Sequence, residues 1–437
     1  MGMGAELPVW TILPFVGLLL SIALLPLAAP RFWEHHGNKG RVAAAFALPV
    51  ALYLVAAFGA EGARVLVERG KEYVSFILLL FALFAITGGI VVRGSLAGTP
   101  LTNTAILALG GLLASAIGTT GASVLLIRPL LRANAPRERK VHIVVFFIFV
   151  VSNCGGLLTP LGDPPLFLGF LKGVPFEWTL FALWKPWLLV NGTLVLLFNF
   201  WDQRVFDAEE RERPGSQLEE VMRHEPLRLE GLRNLPFLVG VVVAIFFAGR
   251  EAWPWGAQEA LIAALALAAV ASTPAALREA NRFTWTPIVE VAVLFAGVFA
   301  TMAPALLLLN ARAAGLGLGV PWKFYWASGA LSSFLDNAPT YLAFAATAVG
   351  RAGIPLEGRY LADFLSRGDA AARLLAAISC GSVMMGANTY LGNGPNFMVK
   401  AIAEEAGVRM PSFFGYMAYS LGILIPLFVL VTFVFMV

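Results

Sequence analysis

The sequence predicts an all-α polytopic membrane protein made of two inverted-topology repeats, with about 10 spanning helices plus 2 re-entrant hairpins. Three observations predict it. The chain is 59% hydrophobic and only 13% charged, with a mean hydropathy of +0.78, whereas a soluble domain carries about 25% charged residues. Apolar windows of roughly 20 residues, enough to cross a bilayer, recur from one end to the other. Two of those windows are interrupted in the same way: TYLGNGPNF at 389–397 aligns without gaps on TPLGDPPLF at 159–167, with Thr, Leu, Gly, Pro and Phe identical.

The interruption is chemically unambiguous. SNCGGLLTPLGDPPLF, at 152–167, places three glycines, three prolines and an Asp inside an apolar run over 141–171. Proline lacks an N–H and clashes with the preceding turn. Backbone freed at bilayer depth is tolerated only where protein or a watery cavity covers it. The run therefore reads as a broken helix, and broken helices in corresponding places of two halves point to a transport site.

In chain order, spans are expected at 8–29, 42–60 and 73–92. A hairpin follows at 101–131, interrupted by the small polar tip 118–123, then the broken helix 141–171 and a span at 178–200. These make up the first repeat, 1–200. The charged stretch 201–234 reads as a cytoplasmic linker. The second repeat, 235–437, carries spans at 235–249, 258–273 and 287–309, a hairpin at 322–349, a broken helix at 373–400 and a last span at 411–437. Only Glu6 is charged before the first span, so 8–29 is expected to be a retained helix and not a signal peptide. The hairpin arms are expected to be too short to span. Counting both hairpins as re-entrant puts the N-terminus outside. The basic loops, including 132–140 and the six Arg between 201 and 234, then lie inside, as the positive-inside rule asks. The loops 61–72 and 351–369, where acids and bases mix, fall outside.

The candidate site residues follow from the interruptions. Asp163 precedes Pro164 and Pro165, which suits an N-cap with Pro at N1; a carboxylate at membrane depth also marks an ion path. Its counterpart Asn393 precedes Gly394 and Pro395 as a neutral version of the same arrangement. Asp336 lies at the tip of the second hairpin in SSFLDNAPT, where it or Asn337 can cap the second arm, while the first hairpin offers Thr119, Thr120 and Ser123 at its tip. With Asn153, Asn337, Asn388, Asn396, Ser152 and Thr residues nearby, the two carboxylates form an oxygen-rich set suited to hard cations. No Arg or Lys occurs within these motifs, although half-helix N-termini can hold an anion without a basic side chain. Glu290, early in its span, is either an interfacial group or a further site residue. Lys185 reads as snorkelling beside interfacial Trp, and Glu404 and Glu405 as a solvated loop. His35, His36, His142 and His224 fall in or next to polar loops, so no metal cluster is visible. Cys154 and Cys380 sit in apolar spans and imply no disulfide framework.

Absent motifs narrow the class. None of the seven Lys is followed by Ser or Thr, so there is no phosphate-binding P-loop, and neither HExxH nor GxSxG occurs. The chain is expected to be no enzyme, to need no cofactor beyond sodium ions and protons as transported or coupling species, and to bind no nucleic acid.

SNCGGLLTPLGDPP, SSFLDNAPTYL and GANTYLGNGPNF resemble the ion transporter superfamily. The likeness is closest to NhaD-type and related CitMHS-like sodium/proton antiporters, and more distant to arsenite, citrate and dicarboxylate carriers. The resemblance implies inverted repeats, a homodimer and elevator-like alternating access. Its site falls here on Asn153, Thr159 and Asp163, on Asp336, Asn337 and Thr340, and on Asn388, Thr389, Asn393 and Asn396. Leu166 stands where many relatives carry Asn, so the first half offers one amide fewer. The expectation is a sodium or lithium/proton antiporter of a prokaryotic inner membrane, with Asp163 and Asp336 exchanging cation for proton. A cation-coupled carrier of citrate, a dicarboxylate or arsenite is the alternative, and an electrodiffusive channel is disfavoured by the paired broken helices.

Overall fold

The apolar windows fold as helices whose ends follow local chemistry. The computed structural model describes residues 3–215, 218, 225–251 and 253–437. Among them, eight helices are long and apolar enough to cross a membrane, and two shorter apolar ones, at Val141–Leu157 and Ala257–Ser272, accompany them. The chain is a multi-pass membrane protein. In order come α1 (Leu13–Ala28), α2 (His36–Thr87), α3 (Pro100–Ile117), α4 (Thr119–Ala133), α5 (Val141–Val150), α6 (Pro164–Leu171) and α7 (Phe176–Glu212). Then follow α8 (Leu235–Glu251), α9 (Ala257–Ser272), α10 (Thr286–Ala311), α11 (Pro321–Ser332), α12 (Asn337–Arg351), α13 (Asp369–Met384), α14 (Gly394–Glu405) and α15 (Phe413–Val431).

Four expectations need correction. First, the chain is not all-α: β1 (Val91–Ser95) and β2 (Glu225–Glu230) form a two-stranded antiparallel sheet, with Arg93 bonded to Glu230 at 2.7 Å. The connectors on either side of the α3–α7 block thus pair with each other, which satisfies backbone groups that a loop would leave to water. Second, 61–72 is helical. α2 reverses at Gly59, whose φ of +56° and ψ of −127° are non-helical, and helix resumes at once through residues with good propensity and an Arg64–Glu68 pair at i,i+4. Third, 201–234 carries regular structure, because α7 continues to Glu212 and β2 takes up 225–230; 216, 217 and 219–224, with Arg223 and His224 among them, lie outside the described residues. Fourth, α3 has 18 residues, about 27 Å at 1.5 Å per residue, so its length alone does not stop it from crossing a bilayer of about 30 Å.

His142 lies next to the polar loop, as expected, and is buried at the start of α5. Its Nε2 lies 2.8 Å from Oδ1 of Asp202, a fully buried residue of α7 that also accepts from Arg137 Nη1 at 2.6 Å and Asn103 Nδ2 at 2.9 Å. Glu209, about two turns further along α7, accepts the backbone N–H groups of Glu138 and Arg139. Together these bonds pin the turn between α4 and α5 onto α7.

Two packing groups position the site. In one, α10 runs along α2, with Phe76 stacked on Phe295 at 5.1 Å and Tyr73 Oη donating to Ala292 O. In the other, α3 packs against α4, and α11 against α13, around the two interruptions. Residues 142–150 of α5 are all buried, as befits a helix that is apolar on every side. Lipid offers no hydrophobic drive between helices, so close backbone approach matters: a Cβ on Gly155 would stand 2.7 Å from Gly111 Cα. The second arm of each α-hairpin meets the second half of the other interrupted segment, α4 on α14 and α12 on α6.

Candidate functional site

Gly118 alone joins α3 to α4, with φ +83°, a conformation that glycine enters without a Cβ penalty. The turn brings Thr119 N to Gly162 O at 2.9 Å, so the tip of one hairpin lies on the interruption between α5 and α6. Asp163 sits at the N-cap position of α6, but its side chain makes no capping bond. The carboxylate turns across the molecule instead. Oδ1 accepts from Thr119 Oγ1 at 2.9 Å and Asn393 Nδ2 at 3.3 Å, and Oδ2 accepts from Asn337 Nδ2. The residue is 2% exposed. Four helix N-termini, those of α4, α6, α12 and α14, therefore meet at one carboxylate.

The contacts recur between the halves. Thr119 and Asn337 each open the second arm of a hairpin, and both grip Asp163. Asn393, the counterpart of Asp163, likewise makes no cap bond and donates to Ser152 O at 3.1 Å as well as to Asp163. Thr159 and Thr389 do the same job in each interruption. Each donates its hydroxyl to a carbonyl near the hairpin turn, Ser115 O or Ser333 O, and accepts the N–H two residues ahead, Leu161 or Leu391. They shape the backbone and point away from Asp163.

The remaining expected residues divide. Asn153 Nδ2 donates to Asn396 Oδ1 at 2.6 Å, and Asn396 Nδ2 donates to Gly386 O and Thr389 O, which ties the two interruptions together. Ser152 and Ser123 share a hydroxyl bond of 2.8 Å behind Asp163. Asn388 Nδ2 holds Ser333 Oγ at 2.9 Å. Asp336 caps its own helix: Oδ1 accepts from Ala338 N at 3.0 Å, and Thr340 Oγ1 donates to Asp336 O. It stands beside the network, next to Asn337, and makes no hydrogen bond to Asp163. Thr120 joins Asp163 in lining a cavity of about 80 Å³ between the α3–α4 tip and the α2–α10 group. Glu290 is not among the residues lining that cavity and is paired with Lys39 Nζ at 2.6 Å. Among the described residues no group of three His, Cys, Asp or Glu is placed to hold a metal.

Sequence reasoning missed the supports. Trp187 Nε1 and Asn191 Nδ2 on α7 reach Gly155 O and Cys154 O; on α15, Tyr416 Oη and Ser420 Oγ reach Ala387 O and Asn388 O. These bonds satisfy the carbonyls that the interruptions free. Asn191, polar in mid-span, carried a signal of its own. Chemically, the site offers one buried carboxylate, and it also leaves amide oxygens without a donor. Among the described residues Asn153 Oδ1, Asn337 Oδ1 and Asn388 Oδ1 have none, whereas buried acceptors are ordinarily paired. Such oxygens suit a hard cation.

The model of the family CitMHS_2, described as "Putative citrate transport", matches residues 4–436. The chain belongs to this family. Membership makes it a transporter and accords with the absence of catalytic motifs. No curated protein matches the sequence. The broken segments and the Asp163 network are thus features of a CitMHS_2 chain, and citrate is the solute in that family's description.

Proposed function

We propose that this chain is a secondary active transporter that couples a small carboxylate to a cation, sodium or a proton, at Asp163. The observation that carries the reading is a single enclosed carboxylate whose partners come from both hairpins and from the other interruption. A bare charge within a membrane protein is costly, so taking up a cation or a proton changes the energy of every element that touches Asp163. The undonated oxygens of Asn153 and Asn337 are hard ligands that would complete a sodium site. The converging N-termini carry partial positive charge and suit the carboxylate of a solute, as the family's description suggests.

In this reading α3–α4 and α11–α12 are re-entrant hairpins entering from opposite faces, and the two halves are inverted repeats. Alternating access is of the elevator type, with the hairpins and broken helices moving past the α2–α10 group. The chain works as a homodimer in a prokaryotic inner membrane with its N-terminus outside.

Sodium or lithium/proton exchange without an organic solute is the second reading. The size of the cavity at Asp163, about 80 Å³, favours it: that admits an ion with a few waters and falls well below the ~300–1,000 Å³ of pockets that enclose organic ligands. Proteoliposomes with an imposed pH gradient decide between the two. Under the carboxylate reading, sodium or lithium alone leaves the gradient intact; citrate or succinate collapses it when the coupling cation is a proton, or enters as labelled solute driven by an imposed sodium gradient when it is sodium, and Asp163→Asn cuts that response at least about tenfold, the cost of a lost charged hydrogen-bond centre. Collapse by sodium or lithium alone, lost in Asp163→Asn, would transfer the chain to the exchangers. An intact response in Asp163→Asn would remove Asp163 from either role.

A further inference from the structure

A second cavity, of about 440 Å³, lies at the far ends of α4 and α14, on the side that carries the basic loops. Three separate segments enclose it: the end of α4 with the turn into α5, the end of α14, and the connector that leads into α10. Arg128, Arg132, Lys140 and Arg282 line it together with one carboxylate, Glu405; Arg132 donates to Val92 O and Lys140 to Ala135 O. Glu405 is held by Arg282 Nη1 and lies 3.7 Å from Arg128 Nη1, so its carboxylate bridges cations on two segments.

Two ordinary explanations cover part of this arrangement. Basic side chains at the end of α4 complement the partial negative charge of a helix C-terminus, and basic loops set membrane orientation. Neither accounts for Glu405, an acid at the end of α14 where that same rule disfavours it. Arg282, the one non-glycine residue with positive φ (+47°) among the described residues, takes it as the left-handed end of the short helix Ala275–Ala280, where Phe283 N–H bonds Arg278 O and Arg282 N–H bonds Glu279 O; that turn places its guanidinium in the cavity. The place of Glu405 among these cations follows if the cavity is shaped around an anion and Glu405 occupies that place.

We propose that this cavity is a binding site for a small multivalent anion, a di- or tricarboxylate or a phosphate-type group, and that Glu405 is its built-in competitor. The ligand would displace the Glu405 carboxylate from Arg128 and Arg282, leaving Glu405 free to swing into solvent, where half of its side chain already lies. The volume suits such an ion with part of its hydration shell, since a water takes about 30 Å³. The site lies apart from Asp163 and does not depend on which solute crosses the membrane.

The test is titration of the purified full-length chain with citrate and with inorganic pyrophosphate at low ionic strength, in phosphatidylcholine nanodiscs. Both anions should bind saturably. Removing the competitor in Glu405→Gln should tighten both by about threefold, and Arg282→Gln should weaken both by about fivefold, the scale of one partly exposed ion pair. Equal melting temperatures of the variants would exclude a folding defect, and both residues are exposed enough to tolerate the change. Opposite signs for the two variants are required. No saturable binding to the wild type, or a Glu405→Gln that binds more weakly or unchanged, would overturn the proposal. Repeating the titration in phosphatidylglycerol nanodiscs identifies the source: unchanged affinity assigns the site to soluble anions, while a loss of affinity on going from phosphatidylcholine to phosphatidylglycerol that Arg282→Gln no longer shows assigns it to an anionic lipid headgroup.

Discussion

At the residue scale, Asp163 and Asp336 show how one side chain at one kind of position can serve two ends. Both precede a half-helix in a sequence rich in small residues, and both are sound N-caps on paper. Asp336 does cap its helix through Ala338 N, whereas Asp163 caps nothing and is bonded across the halves. Sequence placed both at the site but could not tell them apart, because the difference depends on which long-range donors reach each carboxylate. Glu290 makes the converse point. Its position early in a span suited a site residue or an interfacial one, and Lys39, with 7% of its side chain exposed, takes up its carboxylate. Glu290→Gln should therefore leave transport within about twofold of wild type while lowering stability by about 1–2 kcal/mol, because Lys39 is left buried without a counter-charge. Adding Lys39→Met should recover much of that loss in thermal unfolding, since removing both charges costs less than stranding one. Transport lost in Glu290→Gln and not recovered in the pair would return Glu290 to the site.

At the element scale, most helices were legible because apolar length is a strong signal, and the interruptions were legible because Pro and Gly have few other uses in a membrane span. The misread stretches, 61–72 and 201–234, were polar, and polarity was taken for irregular structure. Charge pairing wins there instead: Arg64 pairs with Glu68 in the stretch after Gly59, and α7 runs on to Glu212 because Asp202 and Glu209 hold the turn before α5. The reversal at Gly59 presses the new helix onto the old one, so that a Cβ on Gly62 would overlap the Leu54 carbonyl oxygen, whereas Gly70, two turns further on, has nothing within 4 Å. These two glycines should respond in opposite directions. Gly62→Ala should destabilise the protein by about 1–3 kcal/mol through overpacking against backbone, and Gly70→Ala should stabilise it by about 0.5–1 kcal/mol through helix propensity alone. Thermal unfolding in detergent reads both. A neutral Gly62→Ala would mean that the two arms of α2 do not meet as tightly as the backbone places them.

At the scale of the whole molecule, the hairpin and broken-helix group is fastened to the rest of the chain at both ends. On one face, Lys172, just past α6, is ion-paired with Glu72 of α2, which Arg69 also binds at 2.8 Å, and the Lys172 carbonyl accepts Leu361 N at 3.0 Å. On the other face, Glu405 at the end of α14 is ion-paired with Arg282, ahead of α10. The second halves of both interrupted helices thus end in a charge pair to the α2–α10 group, at opposite faces. The Lys172–Glu72 pair is the more deeply buried of the two, with side-chain exposures of 6% and 15%, so it is the stronger fastening and the more costly to open. A rigid bundle would keep both pairs at all times. A molecule whose inner group slides past α2 and α10 must open the Lys172–Glu72 pair in every cycle. Replacing the pair by Glu72→Cys with Lys172→Cys and bridging the thiols with a cleavable bifunctional reagent distinguishes these cases, because the native Cys154 and Cys380 are fully buried and will not compete. Bridging should stop transport, to below about a tenth of the unbridged rate if each turnover needs a domain movement on the μs–ms scale or slower, and reductive cleavage should restore it. Solute binding should survive bridging, since the Asp163 network lies away from the tether. Undiminished transport with the bridge intact would show that this face stays closed throughout the cycle and that access to Asp163 opens by local movement of the hairpin tips alone.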